Sequence, residues 1–104
     1  MDEEVNCMQK QEVLALIIAH GGMRIEEADF SSGSTVTKAG LERACISNGI
    51  DIPKPSTKKN LVKALLSHVG YRYVEGDVQR GSTVEKVALI RILEGLRNRK
   101  NHSL

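Results

Sequence analysis

Apolar residues recur along this chain at the three- and four-residue spacing of an amphipathic helix, in four separate segments. The four apolar stripes are Val13, Leu14, Ile17 and Ile18; Val36, Leu41, Ala44 and Cys45; Leu61, Val62, Leu65 and Leu66; and Val84, Ala88, Leu89, Ile92, Leu93 and Leu96. Each stripe covers one face of its segment, so each segment is predicted to form a helix that buries this face.

Glycines, prolines and hydroxyl residues mark where these helices should begin and end. The predicted ends are Gly21-Gly22, Asn48-Gly49 and His68–Gly70. The predicted N-caps are Ser34 or Thr35 for the second helix, Ser56 or Thr57 for the third, and Ser82, in a capping box with Glu85, for the fourth. Two prolines predict an extended path over residues 50–56, and a short extended piece is expected at Met23–Ile25.

The chain also repeats itself. Residues 10–45 align without a gap onto residues 58–93, and 13 of the 36 aligned positions are identical. A period of this length marks a supersecondary unit that buries its apolar face against a neighbouring copy. We therefore predict an all-α single domain over residues 1–104. It should consist of two tandem helix–extended loop–helix repeats, about 9–48 and 56–98, packed with pseudo-twofold symmetry.

Composition supports packing of helix on helix in a cytoplasmic protein. Aromatic residues make up 3% of the chain and hydrophobic residues 40%, so the core must be mainly aliphatic. No signal peptide or membrane span is visible in the sequence. Cys7 and Cys45 occupy different repeat positions, and Cys45 aligns with Leu93, which predicts a buried apolar role for Cys45.

The distribution of charge along the chain is more informative about a binding partner than the formal net charge of +2. Residues 1–35 are mainly acidic, whereas residues 54–63 contain four lysines and no acid. The C-terminal residues add Arg97, Arg99, Lys100 and His102. This asymmetry favours an anionic partner.

A lysine stands three residues before an aliphatic residue at the start of each predicted helix. These lysines are Lys10, Lys38, Lys58 and Lys86. A cation at a helix start interacts unfavourably with the positive end of the helix dipole, and a bound anion would compensate for this electrostatic cost. Free N–H groups, a lysine and a hydroxyl together predict a phosphate-binding corner. The alternative is that these lysines are only solvated first-turn residues.

The repeated pattern His-x-Gly-x-Arg-x-x-Glu-x-Asp allows two interpretations. His20, Glu27 and Asp29, with His68, Glu75 and Asp77 in the second copy, have the side chains of a metal site or a nuclease-like acidic pair. The structural interpretation is favoured, because an active site rarely needs two copies in so small a fold. In it, His20 satisfies free helix carbonyls, Gly22 adopts a left-handed conformation and Arg24 pairs with Glu27 or Asp29. Alternatively, Arg24 and Arg72 contact phosphates.

Residues 41–65 contain a predicted helix, Gly49, an extended segment from Ile50 and a helix that opens with Lys58-x-x-Leu61. With these motifs, residues 36–70 resemble the SAP and helix-extended-loop-helix group of small DNA-binding modules. The resemblance implies duplex-DNA contacts from Lys54, Ser56, Thr57, Lys58 and Lys59. Two features depart from the group: Ala64 stands where a basic residue is common, and the loop contains two prolines.

No phosphate loop, Rossmann glycine pattern, Cys-x-x-Cys pair or serine elbow is present, so neither catalytic residues nor a cofactor or metal is predicted. We expect a non-enzymatic module that binds double-stranded DNA through phosphate contacts, as part of a restriction, recombination or phage system. The predicted contact residues are Lys38, Lys54, Ser56, Thr57, Lys58, Lys59, Lys63, Arg72, Lys86 and Arg91. The alternative is a small protein-interaction adaptor or regulator whose basic surface is incidental.

Overall fold

The computed structural model of the protein describes residues 8–31, 35–79 and 83–102. Within these ranges the fold is predominantly helical, as predicted, and contains four α-helices. The helices are α1 (Lys10–His20), α2 (Lys38–Ser47), α3 (Lys58–His68) and α4 (Lys86–His102). Each begins at one of the four lysines that the sequence pattern singles out.

A short two-stranded antiparallel ladder follows α1, and another follows α3; the sequence did not predict either. The strands are β1 (Phe30–Ser31), β2 (Thr35–Val36), β3 (Val78–Gln79) and β4 (Thr83–Val84), with Phe30 opposite Val36 and Val78 opposite Val84. A 3-10 turn precedes each ladder, at Glu27–Asp29 and Glu75–Asp77. Met23–Ile25, where an extended piece was expected, is not a strand. The elements after α1 and after α3 therefore follow the same order, 48 residues apart.

The ladders move the start of α2 two or three residues beyond the predicted position, depending on which predicted cap is taken, and the start of α4 three residues beyond. Thr35 lies in β2 and is not the N-cap of α2; that cap is Thr37, whose Oγ1 accepts a hydrogen bond from the Gly40 N–H at 3.1 Å. Glu85 directly precedes α4, so it cannot be the third residue of that helix, as the predicted capping box requires. Ser34 and Ser82, the other predicted caps, lie outside the described residues.

The remaining helix ends agree with the sequence signals. Thr57 caps α3, with its Oγ1 accepting from the Asn60 N–H at 3.2 Å. Gly22 and Gly70 have φ angles of +89° and +85°, so both adopt the left-handed conformation predicted after α1 and α3.

All four predicted apolar stripes are buried in one core. Their members are at most 8% exposed, and most are completely inaccessible to solvent. The helix α1 packs against α2 and α4, and α3 packs against the same two helices, so the four helices close into a ring. Val36 and Val84 reach this core from the contacting strands β2 and β4 rather than from helices. No helix in the described ranges has the length and apolar character needed to cross a membrane.

A buried aspartate braces each connection. Asp29 Oδ2 accepts from the Glu26 N–H at 2.7 Å and from Arg43 Nε at 3.3 Å. The same Nε lies 3.2 Å from Asp29 Oδ1, an ion-pair contact that lacks hydrogen-bond alignment. Asp77 is equivalent: it accepts from the Val74 N–H at 2.8 Å and pairs with Arg91. The guanidinium partner of Asp29 is thus Arg43 and not Arg24, whose backbone carbonyl accepts a hydrogen bond from Arg43.

The first half of the chain contains α1 and α2, and the second half contains α3 and α4. In each half, the end of the first helix lies very close to the second helix. A Cβ on Gly21 would lie 1.7 Å from the Ser47 carbonyl oxygen, and a Cβ on Gly95 would lie 2.5 Å from Val69 Cβ. Gly21 aligns with Val69, and Ser47 aligns with Gly95. In the first half the glycine follows the first helix, whereas in the second half it lies within the second helix. Each of the two close contacts therefore contains one glycine.

Candidate nucleic-acid interface

The N-termini of α2 and α3 open onto one groove of about 710 Å³. Its lining residues are Lys38, Lys54, Pro55, Ser56, Thr57 and Lys58. Five of these six were predicted as DNA contacts from the sequence. Lys38 comes from the first half of the chain and the others come from the linking segment and the second half, so the tertiary structure brings two of the four predicted phosphate corners together.

Local hydrogen bonds fix the backbone on the α3 side of the groove. The Asn60 side-chain amide donates to the Pro55 carbonyl at 2.9 Å, while its backbone N–H donates to the Thr57 hydroxyl. Residues 50–57 contain no helix or strand, but the chain bends at Lys54 and Pro55, so the extended path predicted for residues 50–56 is not continuous. Ile52 packs against the core, so the segment is anchored before it reaches Lys54. The groove wall is therefore held in place by both its apolar and its polar residues.

Helix starts supply N–H donors to this groove. The first four N–H groups of an α-helix have no partner within the helix. At α3, Thr57 satisfies those of Asn60 and Leu61. The N–H groups of Lys58 and Lys59 have no protein acceptor in the part of the chain that the structure describes. An anion in the groove would meet donors, the positive end of the helix dipole and lysine ammonium groups together.

Lys59 and Lys63 lie on a different flank of α3, against an aromatic ring. Their Nζ atoms are 5.8 and 5.1 Å from the centroid of the Tyr73 ring, which is half-buried. These are cation–π distances. The sequence did not predict this contact, because nothing in the local pattern indicates that the connection after α3 folds back over that helix.

Three predicted contact residues lie elsewhere. The Arg91 side chain forms an ion pair with the buried Asp77 and is 22% exposed, so Arg91 does not belong to the candidate interface. Arg72 is exposed but does not line the groove, and neither does Lys86, which is half-buried at the start of α4. The interface that the structure assembles is therefore narrower than the one predicted from the sequence.

The repeated histidines and carboxylates do not form a cluster. His20 and His68 occupy the last turns of α1 and α3, whereas Asp29 and Asp77 are engaged by arginines. Among residues 8–31, 35–79 and 83–102, no three His, Cys, Asp or Glu side chains are arranged to hold a metal ion.

Cys45 is buried in the core, as its alignment with Leu93 predicts. Burial, together with the nearby charge of Glu42, raises the pKa of the Cys45 thiol to about 12. The thiol is therefore protonated at neutral pH and behaves as a small apolar group. Cys7 lies outside the described residues.

No protein-family model matches this chain, and comparisons with curated proteins and with solved structures find no similar protein.

Proposed function

We propose that this protein is a non-enzymatic module that binds double-stranded DNA through its phosphates, in a restriction, recombination or phage system. The groove between the starts of α2 and α3 is the contact surface. One observation carries the proposal: two helix N-termini, three lysines and two hydroxyl residues line the same groove, and none of the described residues that line it is a carboxylate.

The chemistry of the groove matches a phosphate backbone. Duplex DNA carries one negative charge for about every 1.7 Å of its axis, so a protein with two adjacent anion sites can follow consecutive phosphates. The corner at Lys38 and the corner at Lys58 provide such a pair. The resemblance of residues 36–70 to the SAP and helix-extended-loop-helix group supports the same surface, since that group uses the start of its second helix and the preceding loop.

We further propose that the two halves form a pseudo-twofold pair in which only one groove is adapted to bind DNA. The ring of helix contacts is unchanged when the halves are exchanged, which supports this arrangement. The residues 48 positions before Lys54, Ser56 and Thr57 are Asn6, Met8 and Gln9, which lack both the lysine and the hydroxyl groups. DNA therefore binds on one face only.

The test is the salt dependence of binding to a random-sequence duplex, measured by fluorescence anisotropy. The variant Lys54→Gln with Lys58→Gln should weaken binding to all sequences, and the log–log salt slope should fall by about 0.9 for each lost phosphate contact. The matched control is Lys10→Gln with Arg97→Gln, which removes the same charge outside the groove and should change both quantities much less.

Equal effects in the two variants would mean that net charge alone drives binding, and the groove proposal would be wrong. If the wild-type protein does not bind the duplex at low salt, the adaptor or regulator alternative replaces DNA binding. Circular dichroism of each variant checks that the fold is intact.

A further inference from the structure

A second cavity, of about 370 Å³, lies between α1 and the connection that follows it. Its walls combine three carboxylate residues, Glu12, Glu26 and Glu27, with three apolar residues, Ala15, Ile25 and Phe30. Ile25 is 41% exposed, although it is a large aliphatic residue. The cavity thus presents apolar surface to solvent inside an acidic border, and it is separate from the basic groove.

The second half of the chain has larger side chains at the equivalent positions. The residues 48 positions after Gln11, Ala15 and Ile25 are Lys59, Lys63 and Tyr73. Tyr73 packs against the core, and the two lysines lie over its ring. Three smaller side chains replace these in the first half, and a cavity remains. In the second half, residues of the chain itself therefore provide an aromatic ring with two ammonium groups over it at this position. We take this arrangement as a guide to the ligand that the cavity of the first half accommodates.

The charges around the cavity favour an occupant of the same kind. Glu26 lies 3.7 Å from Arg43, which partly balances it. Glu12 and Glu27 have no ion-pair partner among the described residues. Nucleic acid is excluded, because phosphates would be repelled by these carboxylates. Residues 1–7 contain three acids and no base, so this segment lacks the complementary charge.

We propose that this acidic cavity binds a segment of a partner protein in which an aromatic side chain stands between lysines or arginines. The ring would cover Ile25 and Phe30, and the cations would face Glu12 and Glu27. This interaction goes beyond DNA binding and does not depend on it, because the cavity shares no lining residue with the basic groove.

The probe is the synthetic peptide Gly-Ser-Lys-Tyr-Lys-Ser-Gly, titrated into isotope-labelled protein while amide chemical shifts are recorded. We expect saturable shifts at Ala15, Ile25 and Phe30. The same peptide with glutamate in place of both lysines should cause none. Glu12→Gln with Glu27→Gln should weaken binding by about tenfold, since two exposed ion pairs are lost. The control Asp51→Asn with Glu75→Gln removes two exposed acids elsewhere and should leave the affinity unchanged.

A second variant, Ala15→Lys with Ile25→Tyr, fills the cavity with the residues of the second half and should abolish the shifts. The second half tolerates these residues at the equivalent positions, and a thermal melt checks that the variant folds. The proposal is overturned if the lysine peptide causes no shifts, or if the filled variant binds as well as the wild type. It is also overturned if the peptide-free protein shows concentration-dependent shifts at both the cavity and Lys63, because the occupant would then be a second copy of this chain.

Discussion

Replacing Leu65 by alanine removes a side chain from the middle of the helix ring. Leu65 is 1% exposed and lies on the face of α3 that packs into the common core. The change deletes three carbon atoms, each worth about 0.8 kcal/mol of transfer free energy, or about 2.4 kcal/mol together. Incomplete relaxation around the cavity adds to this, so the free energy of unfolding should fall by about 2–4 kcal/mol. Domains of this size have stabilities of only about 5–15 kcal/mol, so the loss is large.

Urea titration followed by far-ultraviolet circular dichroism measures this loss. With an m-value of about 1–2 kcal/mol per molar urea, the midpoint should fall by at least about 1 M while the slope stays the same. Val87→Ala is the control, since Val87 is 61% exposed on α4 and its replacement should change the stability by less than about 0.5 kcal/mol. If the midpoint of Leu65→Ala lies within error of the wild type, Leu65 does not belong to a close-packed core.

Two further changes test other parts of the packing. In a Cys7→Ser background, Cys45 should resist a thiol reagent in the native state and react only after unfolding. Burial raises the pKa of Cys45 to about 12 from an ordinary value of 9.0, so the thiol of the unfolded state loses its proton first. The contribution of this thiol to stability should therefore fall as pH rises above about 9, and an unchanged pH dependence in Cys45→Ala would contradict this. Gly95→Ser should destabilise the fold, because its Cβ would lie 2.5 Å from Val69 Cβ. Val69→Gly in the same chain should recover much of that loss, and a thermal melt in which the two effects simply add would contradict the close contact.

Most of the helical framework could be predicted from local sequence. The apolar stripes identified the apolar residues that the four helices bury, because side-chain direction along a helix depends only on its 3.6-residue period. Val36 and Val84 are buried as well, but they lie in strands, so this period does not explain their burial. The glycines after α1 and α3 marked helix ends for an equally local reason, since helices often end in a left-handed residue, a conformation that glycine adopts easily. The hydroxyl of Thr57 was among the predicted caps for the same reason.

The ladders and the aspartate pairs could not be predicted in the same way. Thr35-Val36 reads locally as the beginning of a helix after a hydroxyl cap, but its backbone pairs with Phe30-Ser31, a segment that the local pattern did not predict to be a strand. Arg24 is the nearest arginine to Asp29 along the chain, yet Arg43 reaches the carboxylate from α2. Each outcome depends on groups that are distant in sequence and become neighbours only when the helices pack.

The candidate site also has a part that the sequence predicted and a part that depended on the tertiary structure. The sequence by itself determined which residues are candidates for an anion-binding surface: the lysines at the helix starts, the hydroxyls beside them and the acid-free segment after Pro53. Only the tertiary structure decided which of these candidates lie together. It placed Lys38 across a groove from Lys54 and Lys58, and it turned the side chain of Arg91 toward Asp77. The physical reason is that composition and local period determine where charge lies along the chain, whereas a binding surface depends on which helix ends meet, and that is set by the packing of the apolar faces.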